Sequence, residues 1–215
     1  LMHTYNKEGI GRFYATPRGD YPSVTTVLSA DGDKTWLDEW RKNVGSENAD
    51  RIVKESTDIG SHLHYLFECL LQNIKANEPK TPEEAKAEKM FKIAKPKLLK
   101  IVDKVLYMEE PVWSDSFRIA GRFDMLCKTK EGKIALVDYK NTKRNKTRED
   151  VESYRKQLAF YVKMIKDTLG IDVEEQKIFM VNREGFVQIF NFYEKDTPRS
   201  ELVAIRKNFW DKFGY

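Results

Sequence analysis

Asp124, Asp138 and Lys140 fall within one stretch, GRFDMLCKTKEGKIALVDYK, residues 121–140. Carboxylate oxygens are hard ligands suited to Mg²⁺ or Mn²⁺. An ammonium beside them can stabilise the charge that develops on a phosphate under attack. Two positions apart on a strand, Asp138 and Lys140 point to the same face, with Ile134 and Leu136. Ala135, Val137 and Tyr139 line the other. Both faces are apolar up to Asp138, which predicts a central strand buried on both sides. A carboxylate and an ammonium at the end of such a strand are costly unless something uses them.

Whether Asp124 joins them depends on the turn. A three-residue loop, Lys130-Glu131-Gly132, places Gly132 at the left-handed position of a bulged hairpin and sets Asp124 opposite Asp138. A two-residue Glu131-Gly132 turn sets Asp124 opposite Tyr139 and separates the acids. The first register gives two carboxylates and an ammonium on one patch.

Other elements must position this patch. Leu63, Leu66, Phe67, Leu70, Leu71 and Ile74 recur at helical spacing and predict a helix over 58–77. His64 and Glu68, four residues apart, stack along the flank of its apolar stripe. Gly60 lies one turn earlier on the same side, where it predicts close approach by another backbone or a ligand. Before this helix, 46–57 reads as polar and weakly helical. Trp36, Leu37 and Trp40 share one face of a helix over 34–43; core packing is expected of both tryptophans, with base stacking as the alternative. Ser23 caps a short helix, and residues 1–22 read as irregular or short β structure.

Thr81-Pro82 opens a helix running to about Lys95, with Pro96 kinking or restarting it. Strands follow over 105–113, 118–128 and 134–140. Glu109 and Glu110 occupy the middle of the first of these, and alternation turns one of them inward. After Lys140, the run Lys143, Arg144, Lys146 and Arg148 holds no acid, which suits contact with a phosphate backbone. An amphipathic helix over 149–169 places Gln157 and Tyr161 one turn apart. Strands over 174–182 and 186–193 and a helix over 197–213 close the chain. The order of elements predicts an α/β, or α+β, fold: a mixed sheet with helices on both faces and the 149–169 helix as a crossover.

Composition narrows the classes. The chain has 215 residues, 33% of them charged, and a net charge of +4, which mildly favours a polyanionic partner. Its two cysteines, Cys69 and Cys127, sit in apolar patterns and read as core thiols of a reducing compartment. Two cysteines are too few for an iron–sulfur cluster or a structural zinc site. No apolar run is long enough to span a membrane. Glu8 and Asp20 near the start argue against a secretory signal or transit peptide.

The set Gly60…His64…Glu68, then Glu110, GRFD with Asp124, VDYK with Asp138 and Lys140, and QLAFY with Gln157 and Tyr161 resembles the PD-(D/E)XK nuclease superfamily, in its RecB-type branch. The motifs cover about residues 57–165. The resemblance implies a restriction-endonuclease-like core and a Mg²⁺ or Mn²⁺ site at Asp124, Asp138 and the Tyr139 carbonyl, completed by Glu68 or His64. It makes Lys140 the catalytic lysine, sets Gln157 and Tyr161 near the substrate, with Arg122 of GRFD, and gives Glu110 an acidic place in the series. Phe123 stands where the family name has proline. YPSVTTVLS, the Trp-bearing helix, VDYKNTKR and QLAFYVKMI are similar to the mitochondrial genome maintenance exonucleases and their phage relatives. That likeness implies a single-stranded DNA substrate, enclosed by roughly residues 31–58. On this basis the chain reads as one nuclease domain: an enclosing extension over 1–57, a core over 58–195 and a C-terminal helix over 196–215. It is expected to be monomeric and intracellular, in a bacterial or phage-infected cell rather than a mitochondrial matrix.

Overall fold

The computed structural model describes residues 2–215. Three short strands, β1 (His3–Lys7), β2 (Gly11–Thr16) and β3 (Gly19–Pro22), form an antiparallel sheet in that order. Ser23 then caps α1 (Val24–Ser29), its hydroxyl accepting from Thr26 N at 3.0 Å. Next come α2 (Thr35–Val44), α3 (Ser46–Leu71) and α4 (Pro82–Ile101). The strands β4 (Val102–Ser114), β5 (Ile119–Thr129) and β6 (Ile134–Thr142) follow, then α5 (Glu152–Leu169), β7 (Glu175–Asn182), β8 (Val187–Phe192) and α6 (Arg199–Phe213).

The main sheet has five strands in the order β4-β5-β6-β7-β8. All neighbours are antiparallel except β6 and β7, which run parallel and are joined through α5. This is the α/β mixed sheet expected from the element order, with β6 at its centre. One face carries Leu136, Ile178 and Met180 against Val27 of α1, Leu158, Phe160 and Ile165 of α5, and Leu202 and Phe209 of α6. The other carries Ala135, Val137, Tyr139 and Phe179 against Ile59, Leu63 and Phe67 of α3 and Met90, Ala94 and Leu98 of α4. Cys69 and Cys127 are free and buried.

The helices differ from expectation in three places. Helix α3 is continuous from Ser46, because the polar stretch 46–57 contains neither proline nor glycine and buries Ala49 on its inner side. It ends at Leu71, not 77: Asn73 takes a left-handed φ of 55°, and Ile74 N donates to Cys69 O at 2.8 Å, the closing bond of a helix C-terminus. Ile74 therefore leaves the apolar stripe and is exposed. In α4, Thr81 caps the start, and Pro96 sits inside the helix without ending it. Helix α2 buries no residue, and Trp36 is 65% exposed, so core packing is not its role.

The hairpin takes the three-residue turn. Gly132 has φ 81°, and Thr129 N donates to Lys133 O at 2.8 Å. The β5–β6 ladder pairs Lys128 with Ile134 and ends at Met125 with Val137, the register that sets Asp124 beside Asp138. Beyond that point the strands part. β6 continues alongside β7 to Thr142, while β5 continues alongside β4. The edge that β5 exposes is bridged at Ala120 by Ser23, and Tyr14 and Tyr21 of the small sheet pack on Ala120.

Gly121 lies in the parted segment because the Tyr161 ring lies over it. A Cβ on Gly121 would stand 2.7 Å from Tyr161 Cε1. Gly121→Ala is expected to lower unfolding free energy by about 1–3 kcal/mol through overpacking. A smaller side chain at 161, as in Gly121→Ala/Tyr161→Leu, should make the alanine less harmful than it is alone; denaturant unfolding of the four chains of that cycle measures the coupling.

Candidate active site

The site forms where β5 and β6 part. Asp124 Oδ2 accepts from Tyr139 N at 2.8 Å, so a carboxylate takes the backbone donor that the strand ladder leaves free. Asp124 Oδ1 lies 3.6 Å from His64 Nδ1. The other imidazole nitrogen, His64 Nε2, is 3.0 Å from the Tyr139 carbonyl. His64 thus spans the strand end, and its ring packs edge-on against Tyr139. One turn before it, Gly60 leaves room for Asn141: a Cβ there would be 2.6 Å from Asn141 Nδ2. The close approach at Gly60 is made by a side chain of β6, in place of the backbone or ligand expected there.

Asp138 and Lys140 emerge from the opposite face of β6. Their charged groups meet at 2.9 Å, Asp138 Oδ2 to Lys140 Nζ, with side chains 6% and 22% exposed. The Lys140 ammonium is the partner of this buried oxygen. The ammonium also lies 4.8 Å from the centre of the Tyr154 ring. Burial works against the charge on Lys140, but the attraction of Asp138 and Asp124 outweighs it and holds the lysine above its ordinary pKa.

The acid on β4 that joins the site is Glu109. It can bring a carboxylate oxygen within 4.8 Å of ligand atoms of both His64 and Asp124. Glu110, the residue favoured by resemblance, lines a different cleft with Thr16, Pro111 and Trp113. The reason is backbone geometry. Glu109 adopts φ 49°, and the β4–β5 pairing shifts register between Val105 and Tyr107. Across from Glu109 the alternation of β5 also breaks, since Phe123 faces the α5 core and Met125 the α3 core.

Burial and like charge act together on these acids. Burial, then Asp124 and Glu68, push Glu109 up to about 8, with Arg122 opposing. Asp124 is raised by burial and by Asp138, against the pull of His64 and Lys140. Glu68 is half-buried one turn beyond His64, close enough to contribute to the field on Glu109. Tyr161 is 6% exposed, and burial with the two aspartates holds its hydroxyl well above the ordinary phenol range; the Gln157 side chain is its hydrogen-bonding neighbour.

The basic run does not act as one patch. Gln188 of β8 fixes the loop through both main-chain groups of Lys146, at 2.8 and 2.9 Å. Arg148 turns to the α5 side, over the Phe192 ring and toward Asn191 O. Lys143 lies on the α3–α4 side, next to Arg183. Arg144 and Arg122 are exposed.

The carboxylates of Glu109 and Asp124 with the His64 imidazole, Asp138 beside them and two raised acid pKa values, fit a divalent cation of the Mg²⁺ or Mn²⁺ type. A profile of the PD-(D/E)XK nuclease superfamily matches residues 25–205. The chain belongs to that superfamily. Members of this superfamily use divalent metals, which agrees with the donor set. No curated protein matches the chain in sequence. Among solved structures, a protein of Eubacterium rectale provisionally named an exonuclease superposes with a TM-score of 0.54 at 14% identity over 72% of this chain. This nuclease-superfamily chain spans 64% of that protein's length, and the likeness is one of fold. A second structure, SSO0001, gives a TM-score of 0.48 at 12% identity, covering 88% of this chain and 75% of that one.

The raised acids have a consequence for stability. The ordinary pKa of Glu109 is 4.5 and its folded value about 8. Between these values the folded chain keeps a proton that the unfolded chain has lost, so stability falls as pH rises from about 5 to 8. The metal-free melting temperature is expected to drop over that range. Glu109→Gln should flatten the dependence and melt higher than wild type at pH 8, with about 2–4 °C for each kcal/mol gained. A parallel pH profile for the two proteins would show the acid is unperturbed.

Proposed function

We propose that this chain is a Mg²⁺- or Mn²⁺-dependent DNA exonuclease that prefers single-stranded ends. The observation that carries the reading is the convergence of Asp124, Asp138, Glu109, His64 and Lys140 at the β5–β6 fork of a chain with a nuclease-superfamily fold. The provisional exonuclease name of the Eubacterium rectale neighbour favours the same reaction class. Sequence likeness to the mitochondrial genome maintenance exonucleases and their phage relatives supports the RecB-type branch and a role in DNA replication, repair or recombination. An intracellular setting accords with two free buried thiols.

Asp124, Asp138 and Glu109, with His64 or the Tyr139 carbonyl, would hold the cation; Glu68 would support them from the next turn. When bound, the cation supplies Lewis-acid activation of the attacking water and of the scissile phosphate. The attraction of Asp138 and Asp124 favours the charged form of Lys140, which offers positive charge and N–H donors. It can hold the attacking water or a non-bridging phosphate oxygen as charge accumulates. Tyr161 is too buried to meet a strand directly, and it orients Gln157, whose half-buried amide can reach one. Water attacks phosphorus, the bond to the 3′ oxygen breaks, and the product keeps a 5′-phosphate. Residues 1–57 form the extension, 58–195 the core and 196–215 the closing helix of one nuclease domain. The exposed Trp36 and half-buried Trp40 of α2 are free to stack on bases of an enclosed strand.

End-labelled DNA, single- and double-stranded, linear and circular, incubated with Mg²⁺, Mn²⁺ or EDTA, tests the assignment. Linear single strands should be degraded and circular ones spared; cutting of circles would make the enzyme an endonuclease. Asp138→Asn and Lys140→Ala should each slow cleavage by about 10²–10³-fold or more. Retained cleavage by both would remove the site from this position.

The loop after β6 gives a separate expectation. Replacing Lys143, Arg144 and Lys146 together with alanine should weaken single-strand binding and reduce its salt dependence, by about 0.7 in logarithmic slope for each phosphate that is no longer neutralised. An unaltered slope would show that the loop does not touch the backbone.

A further inference from the structure

A pocket of about 440 Å³ opens between α3, α4, the loop after β6 and the β7–β8 turn, lined by Glu55, Lys86, Lys89, Lys143 and Arg183. Four cations thus surround one carboxylate. Glu55 is taken by Lys86, Nζ to Oε1 at 2.5 Å. Among the described residues, Lys89, Lys143 and Arg183 make no ion pair. Arg183 is fixed in place by neutral acceptors, Asn141 Oδ1 at 2.6 Å and Ser56 Oγ at 3.3 Å, which orient the guanidinium without cancelling its charge. Burial already works against that charge. Like charges gathered around a concavity and left unneutralised favour an anion in it.

The pocket is tied to the acid cluster. Asn141 follows Lys140 on β6, approaches α3 over the bare face of Gly60, and joins Arg183 to Ser56. Ser56 and His64 are eight residues apart on the same helix. At about 1.5 Å per residue this separation is ~12 Å. With ~3.4 Å of rise per nucleotide in a stacked strand, that is three or four nucleotides.

We infer that this pocket binds a phosphate group of the nucleic-acid strand, three or four nucleotides from the bond cleaved at Asp124, Asp138 and Lys140. The inference rests on the nuclease reading for the identity of the strand, though not for the anion itself. Two sources share the chemistry: a terminal phosphate monoester, or an internal phosphodiester of a strand that runs on past the pocket. Bound in either form, the phosphate fixes the position of the strand along α3, so the pocket sets register at the cleavage site.

The test is binding of short oligothymidylates by fluorescence anisotropy in EDTA, where no cleavage occurs. Three probes are compared: 5′-phosphorylated, 3′-phosphorylated and without terminal phosphate. The protein is wild type, Lys89→Glu, or Lys86→Gln/Lys89→Glu. Both lysines are exposed, so the variants should keep the wild-type melting temperature. Lys89→Glu is expected to weaken binding about tenfold or more, and the double variant further. If the ligand is a terminal monoester, wild type prefers one phosphorylated probe and the variants lose that preference. If it is an internal phosphodiester, all three probes weaken alike. Wild-type affinity for all three probes in both variants would overturn the inference. A protein that binds as expected yet cleaves nothing with either metal would keep the anion pocket and remove the nuclease reading; cleavage with no effect of the variants on binding would do the reverse.

Discussion

The molecule is organised around a substitution of one hydrogen-bond acceptor for another. Up to Met125 and Val137, β5 and β6 satisfy each other's backbone. At the next step the Asp124 carboxylate accepts from Tyr139 N. A buried N–H must find a partner, and here a side chain meets that demand, which lets the two strands separate. The separation creates the gap where acids from three strands meet a helix. It also creates obligations elsewhere. The freed edge of β5 needs cover, which Ser23 and the tyrosines of the small sheet provide. The space above it is filled by Tyr161, which in turn excludes any side chain at Gly121. The N-terminal sheet and α5 are thus parts of the same solution as the site.

The gap concentrates charge in a way that opposes folding. Asp138 is buried and Glu109 and Asp124 are half-buried near it, with Lys140 as the paired cation and His64 beside Asp124. Burial and mutual repulsion raise two of these acids, so part of the cluster holds protons. Protonation relieves the repulsion in the absence of metal; a divalent cation would relieve it by displacing those protons. Metal binding and proton release are therefore linked. The same field favours the charged form of Lys140. A site of this kind trades stability for chemistry.

The parts legible in the sequence were those set by short-range rules. Gly132 marked a left-handed turn residue but fitted both a two- and a three-residue turn, and the structure takes the three-residue turn that aligns Asp124 with Asp138. Two apolar faces marked β6 as central, and the 149–169 stripe marked the crossover. Glu109 was harder to read because counting parity along a strand assumes a regular strand. The register shift after Val105 and the left-handed backbone at Glu109 each break the count, and neither residue type announces it. Trp36 misled for a different reason: an apolar helical face implies burial only where something covers it, and α2 leaves Trp36 exposed while Trp40 is half-buried. Arg183, Lys86 and Lys89 carried no local signal, since their pocket is assembled from elements distant in sequence.

The split of the basic run bears on where a strand can lie. Lys143 and Arg148 are five residues apart, yet they end on opposite sides of the sheet, one beside α3 and α4, the other over Phe192. Gln188 holds the intervening chain at Lys146, which makes this division a fixed feature of the fold. A strand that followed the loop would cross from one face to the other and leave the acid cluster behind. A strand that followed α3 would meet Glu68, His64, Asn141, Ser56 and Arg183 in turn, all on one side of one helix. Carboxylates at one end of that track and unpaired cations at the other give it a polarity. The phosphates of a strand are attracted to the basic end directly, and to the acidic end only when a cation is present. The path along α3 therefore separates holding the strand from cutting it, and it requires metal for the second alone.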